Sequence, residues 1–359
     1  MDSQKKNIVI LIGQLVFGGA EKQSLLLAKA LSEKYNVYYV VMKPFKVVDS
    51  YLQYLKESDL KYKILEGSYF SRMNQLVRLL RSFRTDLLFC YLPGDNMAGS
   101  FAGKLAGVPY IVGGIRNTKI VKRKFYLLRY VQNHFQEYVI FNSTRAKEIF
   151  CSKGYRQDKS LVIENAFAEQ LAFFERPDSD PVKILMVGRF VGQKDYLTGI
   201  RAVAGLSELV AGKKIRLMVA GYGAMESQVR EWISTYGLDE LTEVHIQPEN
   251  LPELYRESDI YLNSSVNEGF SNAVMEAMAH GLPVVATRTG DIEKQVAHGK
   301  SGYISVVGDH KELGEWLGKL CRDHQARISF GKEGYQRLYE FYGFEPFKDK
   351  YNNFIQSLD

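Results

Sequence analysis

The stretch DIYLNSSVNEGFSNAVMEAMAHGLPVVAT, residues 259–287, predicts the fold of the chain. It opens on a short apolar run, continues through a segment of helical period, and closes on a second apolar run, PVVAT. Continuously apolar runs that alternate with helices are typical of parallel strands buried on both faces of a sheet. The same alternation recurs along the chain. We therefore predict an α/β protein built on doubly wound parallel sheets.

The predicted strands fall into two groups, separated by an acidic segment that contains prolines. The strands are residues 7–13, 37–42, 86–92, 110–115 and 138–143, then 183–188, 216–221, 243–246, 259–264, 283–287 and 302–306. Because prolines and acids interrupt the alternation, we predict a linker between two domains. The predicted boundaries are 1–168 for the first domain, 169–182 for the linker, 183–338 for the second domain, and 339–359 for an aromatic-rich helix that packs back on the first domain.

Composition excludes several classes of protein. The 359 residues carry 47 basic and 41 acidic side chains, a net charge of +6 that is too mild to indicate a nucleic-acid partner. No apolar run reaches the roughly 18 to 20 residues of a membrane-spanning helix, and the N-terminus lacks a signal-peptide cleavage pattern. The three cysteines are dispersed, without the spacing of a metal site. These features predict a cytoplasmic protein.

One stretch is strongly basic. KIVKRKFYLLRY, residues 119–130, contains five lysines and arginines and no acid, with aromatic and leucine side chains between them. Such a segment is typical of a helix lying on an anionic membrane surface, here the inner face of the cell membrane. The alternative is a solvated helix face above a core stripe.

Two loops offer anion sites at predicted strand ends. In GQLVFGGAEKQ, Gly18 and Gly19 precede a helix whose N-terminal N–H groups could hold a phosphate, although a tight turn is an equal alternative. In VGRFVGQKD, Arg189 and Lys194 follow a strand and together suit a diphosphate. The alternative for this pair is two surface cations.

The opening stretch carries two carboxylates, Glu268 and Glu276, on either side of a helix start near Ser271. A capping box would need Glu or Gln three residues after Ser271, where Val274 stands, so capping does not explain the acids. A carboxylate that accepts from two vicinal hydroxyls is the usual reader of a ribose or a pyranose. A solvated Glu276 remains an alternative.

These motifs resemble family 4 of the retaining GT-B glycosyltransferases, also called group 1. The resemblance rests on Gly-Gly-x-Glu at 18–21, Gly-Arg-x-x-x-x-Lys at 188–194, and the stretch from Glu268 to Ala286. It implies two Rossmann-like domains facing across a cleft. It further implies a nucleotide-diphospho-sugar donor, UDP- or GDP-linked, on the second domain and a glycan or lipid-linked acceptor on the first, with neither cofactor nor metal.

The resemblance also implies roles for individual residues. Glu268 contacts the donor sugar, Glu276 the ribose hydroxyls, and Arg189 with Lys194 the diphosphate. The implied donor-binding residues are Gly18, Gly19, Gly221, Gly269, Phe270, Ser271, Asn272 and Glu276.

The sequence departs from the family pattern at several positions. Gln193 and Asp195 stand where Glu and Gly are common, and the histidine that many relatives carry in the first domain has no counterpart. Arg116 is the predicted substitute for that histidine. Asn96 is either an acceptor contact or a helix N-cap. DSD at 178–180 resembles an Asp-x-Asp metal motif but lies in the predicted linker, which disfavours a metal.

The predicted function is retaining transfer of a sugar in cell-surface polysaccharide synthesis. Two alternatives share the same fold: a nucleotide-sugar epimerase or phosphorylase, and a scaffold that binds the nucleotide-sugar without catalysis. An epimerase would convert the donor without an acceptor, and a scaffold would not turn it over. The scaffold interpretation is disfavoured by the presence of Arg189, Lys194 and Glu268. A protein that only binds the nucleotide-sugar has no leaving-group charge to stabilise.

Overall fold

The structure is a computed structural model that describes residues 5–16, 18–45, 47–116, 122–206, 210 and 214–358, with only the backbone of 122 and 123. In chain order the strands are β1 (Asn7–Ile12), β2 (Asn36–Val41), β3 (Lys61–Ile64), β4 (Leu87–Cys90), β5 (Tyr110–Ile115), β6 (Tyr138–Phe141), β7 (Ser160–Val162), β8 (Val182–Arg189), β9 (Ile215–Tyr222), β10 (Thr242–Ile246), β11 (Ile260–Asn263), β12 (Val284–Thr287) and β13 (Gly302–Ser305).

The helices are α1 (Gly19–Ser32), α2 (Asp49–Glu57), α3 (Tyr69–Ser82), α4 (Pro93–Ala106), α5 (Lys122–Phe135), α6 (Thr144–Cys151), α7 (Tyr196–Ala204), α8 (Glu226–Thr235), α9 (Leu251–Glu257), α10 (Asn272–Ala279), α11 (Ile292–Gln295), α12 (His310–Arg322), α13 (His324–Tyr342) and α14 (Phe344–Gln356). Short 3₁₀ segments are Gln157–Lys159, Gly192–Lys194 and Asp239–Leu241. Along the described ranges, no helix is both long enough and apolar enough to span a bilayer.

The chain forms two compact units, and the first runs to Asn165 and takes in the residues from Phe344 onward. Its described strands form a parallel seven-stranded sheet in the order β3-β2-β1-β4-β5-β6-β7. The central strand β1 is apolar from Ile8 onward, and Ile8 to Ile12 are inaccessible to solvent because helices cover both faces of the sheet. The chain reverses its direction of winding between β1 and β4.

The last helix, α14, belongs to the first unit. Its Tyr351 and Phe354 rings pack on Phe89 of β4, with centroids 5.7 and 6.4 Å apart. The Tyr110 hydroxyl donates to the Leu358 carbonyl just beyond the helix, at 2.7 Å. The predicted C-terminal helix began at residue 339, whereas in the structure residues 339–342 complete α13 and the new helix starts at Phe344.

The second unit, Ala166–Gly343, contains a parallel six-stranded sheet in the order β10-β9-β8-β11-β12-β13. The segment predicted as a linker packs along this unit. The Arg176 guanidinium in it donates to the carbonyls of Gly281 at 3.3 Å and Tyr255 at 3.1 Å. The prediction of two doubly wound parallel-sheet units is confirmed by both sheets.

The sheet order decides where a site can form. In the second unit the direction of winding reverses between β8 and β11, which pair directly through Ile260 with Ile184 and Tyr261 with Leu185. Ligands of doubly wound sheets bind beyond the carboxyl ends of the strands at such a switch point. The loops that follow β8 and β11 carry the residues singled out in the sequence.

Candidate functional site

The turn after β8 positions two cations. Arg189 ends the strand with an exposed side chain that forms no hydrogen bond or ion pair within the described part of the chain. Lys194 ends the Gly192–Lys194 segment, and its aliphatic stem lies over Gly188, where an added Cβ would be 3.0 Å from Lys194 Cε. The turn therefore holds Lys194 in place and leaves Arg189 available to a ligand.

Asp195 explains one departure from the family pattern. It adopts φ 44° and ψ 56°, the left-handed conformation that glycine enters without strain and that Asp tolerates better than most residues. Its carboxylate caps α7 by accepting from the Thr198 backbone N–H at 3.4 Å, and it also accepts from the Thr198 hydroxyl at 2.6 Å. Asp195 thus keeps the backbone shape of a glycine, and its charge is engaged at the helix.

The loop after β11 brings Glu268 to Lys194. The Lys194 Nζ to Glu268 Oε1 distance is 2.5 Å, and the Ser265 hydroxyl donates to the same oxygen at 2.9 Å. Two hydrogen bonds fix the loops to each other: Val266 N donates to the Gln193 carbonyl at 2.9 Å, and Gln193 Nε2 donates to the Asn267 carbonyl at 2.7 Å. The two motifs therefore form one rigid, charged surface.

This ion pair is largely shielded from water. The exposed fractions are 19% for the Lys194 side chain and 10% for the Glu268 side chain. Charges so placed interact more strongly than surface pairs because little water screens them. Sequence reasoning assigned the lysine to a diphosphate and the glutamate to a sugar. In the structure each also positions the other.

The N-terminus of α10 follows the same loop. Ser271 is the N-cap residue, and its side chain makes no capping hydrogen bond. Instead the buried Gln295 side chain clamps the Ser271 backbone: Ser271 N donates to Oε1 at 3.1 Å, and Nε2 donates to the Ser271 carbonyl at 2.9 Å. The start of α10 is thus oriented by a residue that the motif did not reveal.

Glu276 lies within α10 and is held by a tyrosine. The buried Tyr255 hydroxyl donates to Glu276 Oε2 at 3.1 Å. The His280 ring stacks on Tyr255, with centroids 5.3 Å apart, and burial lowers the pKa of His280. A neutral His280 adds no positive charge to compete for the carboxylate. Tyr255 stands 21 residues before Glu276, so no local pattern indicated it.

Two predicted donor-binding residues have structural roles. A Cβ on Gly221 would overlap the carbonyl oxygen of Gly188, its partner in the pairing of β8 with β9. The Phe270 ring is buried, 4.9 Å from the Tyr342 ring, so only its backbone can face a ligand. The Gly269 carbonyl accepts from Asp291 N at 3.1 Å.

In the first unit, Gly18 and Gly19 begin α1. Gly18 is the N-cap residue in an extended conformation, with no side-chain cap. A Cβ on Gly18 would overlap the carboxylate of the buried Glu21. The glycine at position 18 therefore makes room for the Glu21 carboxylate, which would have to shift if a Cβ were added.

Besides Glu21, the carboxylate of Asp95 lies at the same edge of the first sheet. Asp95 is buried, and its Oδ2 accepts from Leu92 N at 2.9 Å. Burial raises the pKa of Asp95 to about 7, opposed by hydrogen bonds from the Leu92 and Gly13 backbones. Asp95 is therefore partly protonated near neutral pH.

Three further sequence interpretations can be placed. Arg116 follows β5 and stacks on Tyr91, with the guanidinium carbon 4.3 Å from the ring centroid. Asn96 is neither an N-cap nor an acceptor contact: it is buried within α4, donating to the Gly114 carbonyl at 2.8 Å and accepting from Gly114 N at 3.1 Å.

The two carboxylates of the DSD motif have separate partners. Asp178 pairs with Arg327 at 2.7 Å, and Asp180 accepts from Lys214 N at 3.1 Å. Within the described residues, no group of three or more His, Cys, Asp and Glu side chains has the arrangement of a metal site.

In the second unit the structure thus pairs Lys194 with Glu268. Arg189 lies at the start of the turn that carries Lys194, and Glu276 lies in the helix that follows the Glu268 loop. Cations and helix N–H groups suit a diphosphate, and the carboxylates suit hydroxyl groups.

Residues 168–337 match the family model described as glycosyl transferases group 1. N-acetyl-alpha-D-glucosaminyl L-malate synthase of Bacillus anthracis is 26% identical over 149 residues, covering 42% of this chain and 39% of that protein. Several further relatives are likewise matched over about two fifths of their length. The capsular polysaccharide biosynthesis glycosyltransferase CapM of Staphylococcus aureus is 23% identical over 323 residues, covering 81% of this chain and 83% of that protein.

The structure is also similar to solved structures over nearly its whole length. Anabaena Alr3699/HepE, crystallised with UDP and glucose, superposes with a TM-score of 0.83 at 18% identity, covering 98% of this chain and 100% of that chain. Similarity at this identity establishes the fold. The chain therefore has the GT-B fold of glycosyltransferases, and its second unit matches the group 1 family model.

Proposed function

We propose that the protein is a retaining glycosyltransferase of family 4. It moves a sugar from a nucleotide-diphospho-sugar to a glycan or lipid-linked acceptor in cell-surface polysaccharide synthesis. The observation that carries the proposal is the shielded Lys194–Glu268 pair at the switch point of the second sheet. The same turn carries Arg189, which is exposed and has no partner among the described residues. CapM and HepE, by their names and ligands, support a polysaccharide product and a UDP-linked donor.

The proposed chemistry follows from charge. Cleavage of a glycosyl–phosphate bond develops negative charge on the leaving diphosphate and positive charge on the sugar. Arg189, Lys194 and the N–H groups at the start of α10 stabilise the diphosphate, while Glu268 contacts the sugar and Glu276 the ribose. Groups that are already oriented contribute most, because they need no rearrangement as the charge develops. These protein groups supply the positive charge without a metal in our proposal.

A panel of nucleotide-sugars tests the donor. Binding to the folded state raises the unfolding temperature, so we expect a UDP-sugar to raise it for the wild type. We expect a much smaller rise for Arg189→Gln. Because Arg189 is exposed and without a protein partner among the described residues, this variant should unfold at the wild-type temperature when no ligand is added.

Turnover then separates the proposal from its alternatives. Transfer should require an acceptor, and nuclear magnetic resonance should show that the product keeps the anomeric configuration of the donor. Conversion of the donor sugar without an acceptor would instead identify an epimerase. Binding without any turnover would identify a scaffold, and an inverted product would refute retention.

We also propose that the first unit associates with the inner, anionic face of the membrane. The sequence prediction concerned 119–130, of which 119–121 and the side chains of 122 and 123 lie outside the described residues. On the described part of α5, Tyr126, Leu127 and Tyr130 are exposed by 60%, 54% and 58%. Aromatic and leucine side chains beside cations are typical of helices at a membrane surface.

Vesicle binding tests the membrane proposal. We expect the wild type to sediment with phosphatidylglycerol vesicles at low salt, and the binding to weaken as salt rises. Changing Tyr126, Leu127 and Tyr130 together to serine should abolish sedimentation. The matched control is Tyr236→Ser, which removes an exposed tyrosine of the second unit and should bind as the wild type does. Equal sedimentation of the triple variant and the wild type would refute the proposal.

A further inference from the structure

The guanidinium of Arg116 is held within the first unit by two tyrosines. It stacks on the buried Tyr91, and its Nη2 donates to the hydroxyl of the buried Tyr351 at 3.3 Å. Tyr91 is fixed in turn because its hydroxyl donates to the Gln23 carbonyl at 3.0 Å. The position of the guanidinium is therefore set by contacts with the residue that follows β4 and with α14.

Its remaining donors are unsatisfied. Arg116 Nε and Nη1 are buried and have no hydrogen-bond partner among the residues that the structure describes. No described carboxylate forms an ion pair with the guanidinium, which stays charged at any ordinary pH. A buried charge without a counter-ion is strongly unfavourable. Buried polar groups in folded proteins are nearly always hydrogen-bonded, so an unsatisfied one calls for an explanation such as a bound ion.

The location of Arg116 also indicates a ligand-binding role. It directly follows β5 at the carboxyl edge of the sheet, where doubly wound folds bind ligands. Asn142 directly follows β6, the neighbouring strand, through the register pair of Ile115 with Phe141. The Asn142 side chain is also buried, and its Oδ1 has no partner in the described ranges. Arg116 and Asn142 thus follow neighbouring strands at one edge of the sheet, and each has an unsatisfied buried polar group.

We propose that Arg116 binds an oxyanion, a phosphate or a carboxylate, carried by the acceptor. That the anion belongs to an acceptor rests on the proposed function, whereas anion binding by Arg116 does not. An oxyanion has several acceptor oxygens, so it can satisfy Nε and Nη1 together through charge-assisted hydrogen bonds. The Asn142 carbonyl oxygen can accept from a hydroxyl of the same molecule. Arg116 then contributes recognition of an anionic substrate, a role distinct from that of the histidine it was predicted to replace.

The test observes this guanidinium directly. In full-length protein with ¹⁵N-labelled arginine, the Nε–H signal of Arg116 is the one missing from Arg116→Lys. We expect inorganic phosphate, inorganic pyrophosphate or malonate to shift that signal saturably, and neutral glucose to leave it unchanged. A response to the phosphates alone would assign a phosphate group, and a response to malonate alone a carboxylate. No shift with any anion would overturn the proposal.

Stability separates recognition from a purely structural role. Arg116→Met keeps an unbranched apolar stem and removes the uncompensated charge, so its unfolding temperature should equal or exceed that of the wild type. Its affinity for the responding anion should fall roughly 10- to 100-fold, the usual loss with a charged hydrogen bond. Strong destabilisation with unchanged affinity would mean that the arginine only supports the fold. Because the anion signal needs no donor, failure of donor turnover would refute the proposed function and leave this result standing.

Discussion

Glu268→Gln should reduce the rate of sugar transfer by about 10²- to 10³-fold, the usual effect of removing one preorganised electrostatic group. The substitution keeps the shape of the side chain and removes its charge. It takes from Lys194 its partner at 2.5 Å, and it removes the carboxylate proposed to contact the sugar. Ser265 can still donate to the amide oxygen, so the loop should keep its place.

The matched control is Glu257→Gln in the same unit. Glu257 pairs with Lys183 at 3.3 Å, but the exposed fractions of that pair are 34% for the lysine and 49% for the glutamate side chain. Exposed pairs contribute little, so transfer by this variant should stay within about twofold of the wild type. Equal rates for the Glu268 variant and the wild type would contradict the assigned role of Glu268.

A double variant tests whether the pair acts as a unit. If Lys194 and Glu268 position each other, Lys194→Met combined with Glu268→Gln should lose little more activity than either change alone. Losses that multiply would indicate two independent contributions and contradict the role of the ion pair. Tryptophan fluorescence provides the check on folding, because the protein's two tryptophans, Trp232 and Trp316, both lie in the second unit.

Gly221→Ala should have the largest effect on stability, lowering the free energy of unfolding of the second unit by about 3 kcal/mol. The added Cβ would overlap the Gly188 carbonyl oxygen, and Phe190 Cε1 would lie 3.0 Å away. Because the oxygen belongs to the backbone of a central strand, relief requires β8 and β9 to separate. Chemical denaturation followed by tryptophan fluorescence measures the change.

Gly192→Ala is the control for this substitution. A Cβ on Gly192 would meet no described heavy atom within 4 Å, so the unfolding midpoint should match the wild type to within about 0.5 kcal/mol. If the Gly221→Ala variant were as stable as the wild type, β8 and β9 would have to accommodate the added methyl group without separating. In that case Gly221 would be assigned to ligand contact, as the family resemblance implies.

The parallel sheets were predictable because their central strands are buried on both faces. Each of β1, β4, β8 and β11 contains a continuous apolar run, a pattern that needs no long-range information. The edge strands β3 and β7 were missed. KYKI alternates lysine with apolar residues and SLV has only three residues, so neither resembles a buried strand.

The supporting residues of the site were not predictable from the sequence. Tyr255 and Gln295 hold Glu276 and Ser271 from positions 21 and 24 residues away in the chain. Neither carries a pattern of its own, because a tyrosine or a glutamine within a helix is ordinary. Only the packing of α9 and α11 against α10 shows what they bind.

By itself, the sequence determined the alternation of strand and helix and the charged residue types at the strand ends, because both are local properties of the chain. The contacts between residues that are distant in the chain depend on the tertiary structure. It paired Lys194 with Glu268 across 74 residues, turned the Phe270 ring into the core, and left the Arg116 guanidinium buried between two tyrosines. These outcomes depend on side-chain direction and on packing between distant segments, which no local pattern encodes.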